Sequence, residues 1–188
     1  MTSKGQLITL QKEFYFIRHG QTDHNILDEK DKDSVHYGDI SLNENGRTQA
    51  RLIESIVSNL PIKTVCSSPL KRAQETKEII TSKLLLSQYE IGDFRECSCL
   101  IWNEMVRQRM YSSIPKDGAL RQFMNQIQNG MNQVLSLPGP SLVVAHGGVH
   151  WAICCLMSIE MHEWEIDNCV PVHFSIGDNG KWIAKKLL

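Results

Sequence analysis

Two arginines and two histidines, each placed where a short apolar run gives way to polar residues, carry the chemistry this sequence offers. Arg18 and His19 follow the run 13–17, Arg72 stands just beyond the run 64–67, and His146 closes the apolar run 141–145. A buried strand displays the residues at its C-terminal end, so three such junctions on one sheet edge would gather all four groups. Guanidinium forks match phosphate oxygens bidentately, and a helix beginning near Pro69 would add backbone N–H donors and a favourable dipole. A phosphoryl group is the natural guest of such a pocket. A neutral imidazole is a competent nucleophile there if a hydrogen bond, expected to run to the backbone, fixes one ring nitrogen. Charge develops on the equatorial oxygens during phosphoryl transfer. Two guanidiniums and a second imidazole supply its stabilisation with no metal or other cofactor.

Positioning these groups requires strands alternating with helices. Asn43 is placed to cap a helix carrying Ala50, Ile53, Ile56, Val57 and Leu60, ended by Pro61. Residues 64–67 read as a second short strand, with Pro69 in the first turn of a helix through Ala73, Thr76, Ile79 and Ile80. Residues 89–102 read as irregular. Residues 120–137 hold Phe123, Met124, Ile127, Met131, Val134 and Leu135 near helical spacing, broken by Pro138-Gly139-Pro140. An apolar helix is expected from about Val149 to Ser158, and runs 170–176 and 182–184 suggest a terminal strand pair around Gly177 to Gly180. The pattern predicts an α/β three-layer sandwich with a largely parallel central sheet, one domain across residues 1–188.

Bulk properties narrow the partners. A formal net charge of -1 gives no footprint for nucleic acid or for an acidic membrane surface. No stretch approaches a membrane-spanning length and residues 1–14 lack the apolar core of a leader, so a cytoplasmic protein is expected. Six cysteines without a C-x-x-C pair read as reduced, structural thiols. His146 and His150 share helical spacing, but the intervening glycines and the lack of an acidic partner argue against a metal pair. Cys154 and Cys155 read as core, and His24, His36, His162 and His173 as surface or packing residues.

Five blocks occur in one order: 18–25 (RHGQTDHN), 39–50 (DISLNENGRTQA), 67–76 (SSPLKRAQET), 94–96 (FRE) and 144–148 (VAHGG). In these the chain resembles the histidine phosphatase superfamily, which includes cofactor-dependent phosphoglycerate mutases and small phosphatases. The resemblance implies a phosphoglycerate mutase-like fold. It implies His19 as nucleophile, Arg18, Arg72 and His146 as holders of the phosphoryl oxygens, and Glu96 as proton donor to the leaving oxygen and then activator of water. Thr22 and Asn25 would line the pocket, with Gln21 and Ser67 as further pocket residues. The implied activity is metal-independent hydrolysis of a small phosphorylated metabolite. A phosphomutase is the rival, for which the chain has little room to carry the mutases' basic insertion. A silent phospho-ligand binding module is a second rival, opposed by the intact set of five residues. One segment departs from the family: residues 97–104 carry no glycine where relatives commonly do, so the backbone there must differ and the pocket wall becomes more apolar.

Overall fold

The computed structural model describes residues 12–27, 39–108, 115–159 and 166–188. Among these residues six strands form one sheet: β1 (Phe14–Arg18), β2 (Thr64–Ser67), β3 (Ser87–Glu90), β4 (Ser141–Ala145), β5 (Pro171–Ile176) and β6 (Trp182–Lys186). Their order is β3-β2-β4-β1-β5-β6. The first four are mutually parallel, and β5 and β6 add an antiparallel ribbon at one side. Opposite β1 and β2, strand β4 aligns Ala145 with Arg18 and Val144 with Ser67. The C-terminal ends of β1, β2 and β4 are therefore neighbours at one edge, where parallel strands present their loops.

Among the described residues five α-helices cover the sheet: α1 (Glu44–Ser58), α2 (Lys71–Ile80), α3 (Cys99–Gln108), α4 (Gly118–Ser136) and α5 (Gly147–Leu156). Alternation along the central strands splits the core in two. Phe14, Phe16, Val143 and Ala145 pack with residues of α3, α4 and α5, whereas Tyr15, Ile17, Leu142 and Val144 pack with α1 and α2. Burial on both faces is why these strands read as unbroken apolar runs. The three layers match the expected sandwich.

Several boundaries differ from the sequence expectation. The Asn43 side chain does accept from the Gly46 N–H at 2.9 Å and caps α1, but α1 stops at Ser58, ahead of Pro61. Pro69 precedes the Leu70 cap of α2 and lies outside its first turn. Asp39 accepts from the Lys71 N–H, so a carboxylate already complements that helix end. Helix α5 starts directly after His146 and ends at Leu156. The stretch 89–102, expected to be irregular, contains the end of β3, a 3₁₀ turn at Gly92–Phe94 and the start of α3. All four residues of β3 are exposed, which left no apolar pattern to read. His36 and His162 lie outside the described residues. His173 stacks on Tyr15 and pairs with Glu13 at 3.2 Å. Among the described residues no helix is long and apolar enough to cross a membrane.

Candidate active site

Residues at and just beyond the C-terminal ends of three parallel strands build the site. The His19 N–H donates to the Ala145 carbonyl at 2.9 Å and the Ser68 N–H to the Val144 carbonyl at 2.9 Å, extending each ladder one residue past its strand. His19 and His146 thereby face each other with ring centroids 5.1 Å apart and planes at 61°. Both are buried, at 4% and 0% exposure.

The tautomer of His19 follows from its partners. Its Nδ1 lies 2.7 Å from the Gly20 carbonyl oxygen, which only accepts, so Nδ1 carries the proton. The Arg72 Nε–H donates to Nε2 at 3.1 Å, marking the nitrogen that holds the lone pair. Burial, then Arg72, then Arg18 hold the His19 imidazole well below its ordinary value of 6.5, against the opposing Gly20 bond. His146 is held low by burial, by His19 and by the same two arginines. Both rings are neutral near pH 7.

The arginines are anchored from behind. Arg18 Nη1 donates to the Ile166 carbonyl at 2.7 Å. Thr76 Oγ1 accepts from the Gly20 N–H at 3.0 Å and donates to the Arg72 carbonyl at 2.7 Å, tying the loop after β1 to α2. Asn168 donates to the His19 carbonyl at 2.7 Å. The same loop presses on α1: a β-carbon on Gly46 would lie 2.1 Å from the Gln21 carbonyl oxygen. Only glycine permits that approach.

Glu96 enters from the 3₁₀ turn, itself held by α4 through Gln126 donating to the Asp93 carbonyl at 2.8 Å. The Glu96 carboxylate accepts from the Gly148 N–H at 3.2 Å and the Cys97 N–H at 3.0 Å. It and Asp39 oppose the downward effect of burial on Arg72, which places Glu96 within the field of that guanidinium. A β-carbon on Gly148 would sit 2.4 Å from Glu96 Oε1, so the glycine admits the carboxylate.

The structure thus brings Arg18, His19, Arg72, His146 and Glu96 together at one sheet edge. The side-chain bonds of the four weaker candidates run elsewhere. Gln21 Oε1 accepts from Asn43 and Asn45 on the α1 side. Asn25 Oδ1 accepts from both the N–H and the hydroxyl of Thr22, an internal clasp of that loop. Ser67 Oγ accepts from Gln74 at 3.1 Å. The serine beside it makes the contact with the cage, Ser68 Oγ lying 2.7 Å from His146 Nε2. Sequence reasoning passed over Ser68, although strand alternation sends consecutive residues to opposite faces and so distinguishes the two. Asn168 carried no local signal, and Thr76 was read only as a periodic residue of its helix. Among the described residues no group of three histidine, cysteine or acidic side chains is arranged to hold a metal.

The chain is 29% identical over 183 residues to agropine synthesis reductase of Rhizobium rhizogenes, covering 88% of this chain but only 40% of that protein's length. It is 31% identical over 144 residues to the uncharacterized phosphatase PhoE of Bacillus subtilis (strain 168), covering 73% and 72% of the two chains. The α-ribazole phosphatase from Shigella flexneri superposes with a TM-score of 0.64 at 18% identity, covering 94% of this chain and 96% of that one, a likeness of fold. The sequence profile of the histidine phosphatase superfamily (branch 1) matches residues 14–187. The chain belongs to the histidine phosphatase superfamily.

Proposed function

We propose that this chain is a phosphatase that hydrolyses small phosphomonoesters through a phosphohistidine on His19, without a metal. The observation that carries this reading is the His19 tautomer, with its proton held by the Gly20 carbonyl and its Nε2 lone pair beside Arg72. The Nε2 lone pair attacks phosphorus, the ester P–O bond breaks, and the leaving oxygen takes the proton of the Glu96 carboxylic acid. Glu96, now a carboxylate, takes a proton from water as the oxygen attacks phosphorus and the P–N bond breaks. Inorganic phosphate leaves and Glu96 is protonated again.

Arg18, Arg72 and His146 hold the phosphoryl oxygens in both steps. A Ser68 hydroxyl donating to His146 Nε2 leaves the proton on Nδ1, which meets no hydrogen-bond partner among the described residues. That N–H is the donor offered to phosphate. The shared cores on both sheet faces support a single domain. Six cysteines outside any disulfide fit a reducing, cytoplasmic setting, and the net charge of -1 fits a metabolite better than nucleic acid.

The test is turnover of a phosphomonoester panel by wild type and His19→Ala in the presence of a chelator, with acid-labile phosphoenzyme trapped after rapid quench. Chelator-resistant turnover and trapped phosphate, both lost in His19→Ala, are expected. Turnover that survives the substitution, or that needs a bisphosphate primer, would overturn the reading.

A further inference from the structure

Two consecutive peptide units beside the His19 ring are held at all four of their polar atoms. In the first, the His19 carbonyl accepts from Asn168 Nδ2 at 2.7 Å and the Gly20 N–H donates to Thr76 Oγ1 at 3.0 Å. In the second, the Gly20 carbonyl accepts from His19 Nδ1 at 2.7 Å and the Gln21 N–H donates to Gln49 Oε1 at 2.9 Å. The three side chains come from three places: Asn168 from the turn before β5, Thr76 from α2 and Gln49 from α1.

The second unit touches the chemistry. A trans peptide is planar and its C=O and N–H point in opposite directions, so whatever holds the Gln21 N–H aims the Gly20 carbonyl. That carbonyl keeps the His19 proton on Nδ1 and leaves the lone pair on Nε2 beside Arg72. An N–H only donates, so the Gln49 amide must turn its oxygen toward it.

Helix α1 delivers Gln49 to this point by close packing. Gly46 and Gln49 stand three residues apart on one face of the helix. A β-carbon on Gly20 would lie 2.5 Å from the Gly46 carbonyl oxygen, so loop and helix meet backbone to backbone. The capping residue Asn43 adds its own N–H to the Gln21 carbonyl at 3.0 Å. Hydrogen bonds in series polarise one another, so an acceptor on the N–H strengthens the carbonyl at the far side of the peptide. Gln49 does this without bringing a charge. A carboxylate against the ring would favour imidazolium and put a proton on the lone pair, whereas an amide acting through a neutral peptide orients the ring and leaves it unprotonated.

We propose that Gln49 is a positioning residue for the nucleophile: acting through the Gly20–Gln21 peptide, it fixes the tautomer and the direction of the His19 ring. The kinetic consequence rests on the proposed reaction. The tautomer does not, because it belongs to the chain without substrate.

The experiment reads the ring directly. The full chain carrying nitrogen-15-labelled histidine is compared by NMR at neutral pH as wild type, Gln49→Met and Gln49→Glu, with His19→Asn and His146→Asn assigning the signals. Wild type is expected to show His19 protonated on Nδ1 with the lone pair on Nε2. Gln49→Met keeps the reach of the side chain and loses the acceptor. The His19 signals are expected to move toward tautomer exchange while those of His146, held by Ser68, stay in place. Gln49→Glu keeps an acceptor oxygen and is expected to restore the Nδ1–H tautomer. In turnover of a phosphomonoester, Gln49→Met is expected to lower kcat by about tenfold, the scale of one hydrogen bond, with KM little changed because both arginines are untouched. Unchanged His19 signals in Gln49→Met, or equal disturbance of His19 and His146, would overturn the proposal. A Gln49-dependent tautomer with no phosphate trapped on His19 would sink the reaction and leave the positioning role standing. Trapped phosphate with a tautomer and a kcat indifferent to Gln49 would do the reverse.

Discussion

Gly148→Ala separates the leaving-group acid from the rest of the cage. The new β-carbon would stand 2.4 Å from Glu96 Oε1, and ordinary contact begins at 3.4 Å, so the carboxylate must retreat by about 1 Å. Cys97 Sγ, at 2.7 Å from the same point, closes one direction of escape. The carboxylate is the far end of a flexible side chain, so the fold has little to resist. Alanine also gains up to about 1 kcal/mol over glycine inside a helix. Stability by urea denaturation is therefore expected to stay within about 1 kcal/mol of wild type. Activity answers differently: a misplacement of about 1 Å costs about a hundredfold, and general acid catalysis is worth about 10²–10⁴. The kcat/KM for an alkyl phosphate, whose leaving oxygen must be protonated, is expected to fall by about a hundredfold. For 4-nitrophenyl phosphate, which leaves without protonation, the loss is expected to be far smaller. Glu96→Gln should give the same contrast, and the double variant little more, because both remove one function. Equal losses on the two esters would refute the argument by showing that Gly148 acts on the cage.

Other perturbations probe the cage directly. Ser68→Ala removes the partner of His146 Nε2 and leaves a buried ring nitrogen unpaired, expected to cost about 1–3 kcal/mol in urea denaturation and to lower kcat. Ser68→Thr should restore both if the hydroxyl is what matters. Gly46→Ala sets a β-carbon against the Gln21 backbone at 2.1 Å, where no side chain can swing aside. It is expected to destabilise by about 1–3 kcal/mol or more, seen as a lower unfolding midpoint. His19 and His146 are depressed in the fold, so the unfolded chain binds more protons below their ordinary value of 6.5. Stability is expected to be fully present above that value and to fall as pH drops below it. His19→Asn and His146→Asn should each flatten the slope between pH 7.5 and 5. Orthovanadate near a hundred times its Kd should raise stability by about 2.7 kcal/mol, and Arg72→Met should abolish the rise in thermal midpoint.

The elements legible in the sequence are those where burial on both sheet faces leaves an uninterrupted apolar run. Strands β1, β2 and β4 announce themselves that way; β1 ends on Arg18, and Ser68 and His146 directly follow β2 and β4. Strand β3 has one neighbour and four exposed residues, so neither periodicity nor hydrophobicity marks it. Helix α3 was hidden because its inward residues Ile101, Trp102 and Met105 are interleaved with Asn103 and Glu104, although the Ser98 hydroxyl accepts from the Ile101 N–H at 3.4 Å at its start. Ser67 was named from the sequence and Ser68 was not, and their side chains part for a geometric reason. Residue 67 still belongs to the strand and turns to Gln74, and residue 68 turns to His146. Long-range contacts such as Asn168 to His19, separated by 149 residues, have no local signature.

What these residues share is an electrostatic problem that the fold leaves to its ligand. Two charged imidazoles with centroids 5.1 Å apart would repel by about 3 kcal/mol at an effective dielectric constant near 20, before either guanidinium is counted. Burial resolves half of the conflict by keeping both rings neutral. Arg18 and Arg72 bring two guanidiniums to the site, and Glu96 and Asp39 lie in the field of Arg72. In the proposed reaction a phosphoryl dianion meets those guanidiniums, and neutrality of His19 is what allows it to attack. If His19 were paired with a carboxylate, as many buried histidines are, its pKa would rise and its lone pair would be lost at neutral pH. In the proposed reaction the two arginines thus bind the phosphate, and their field also holds the His19 imidazole low.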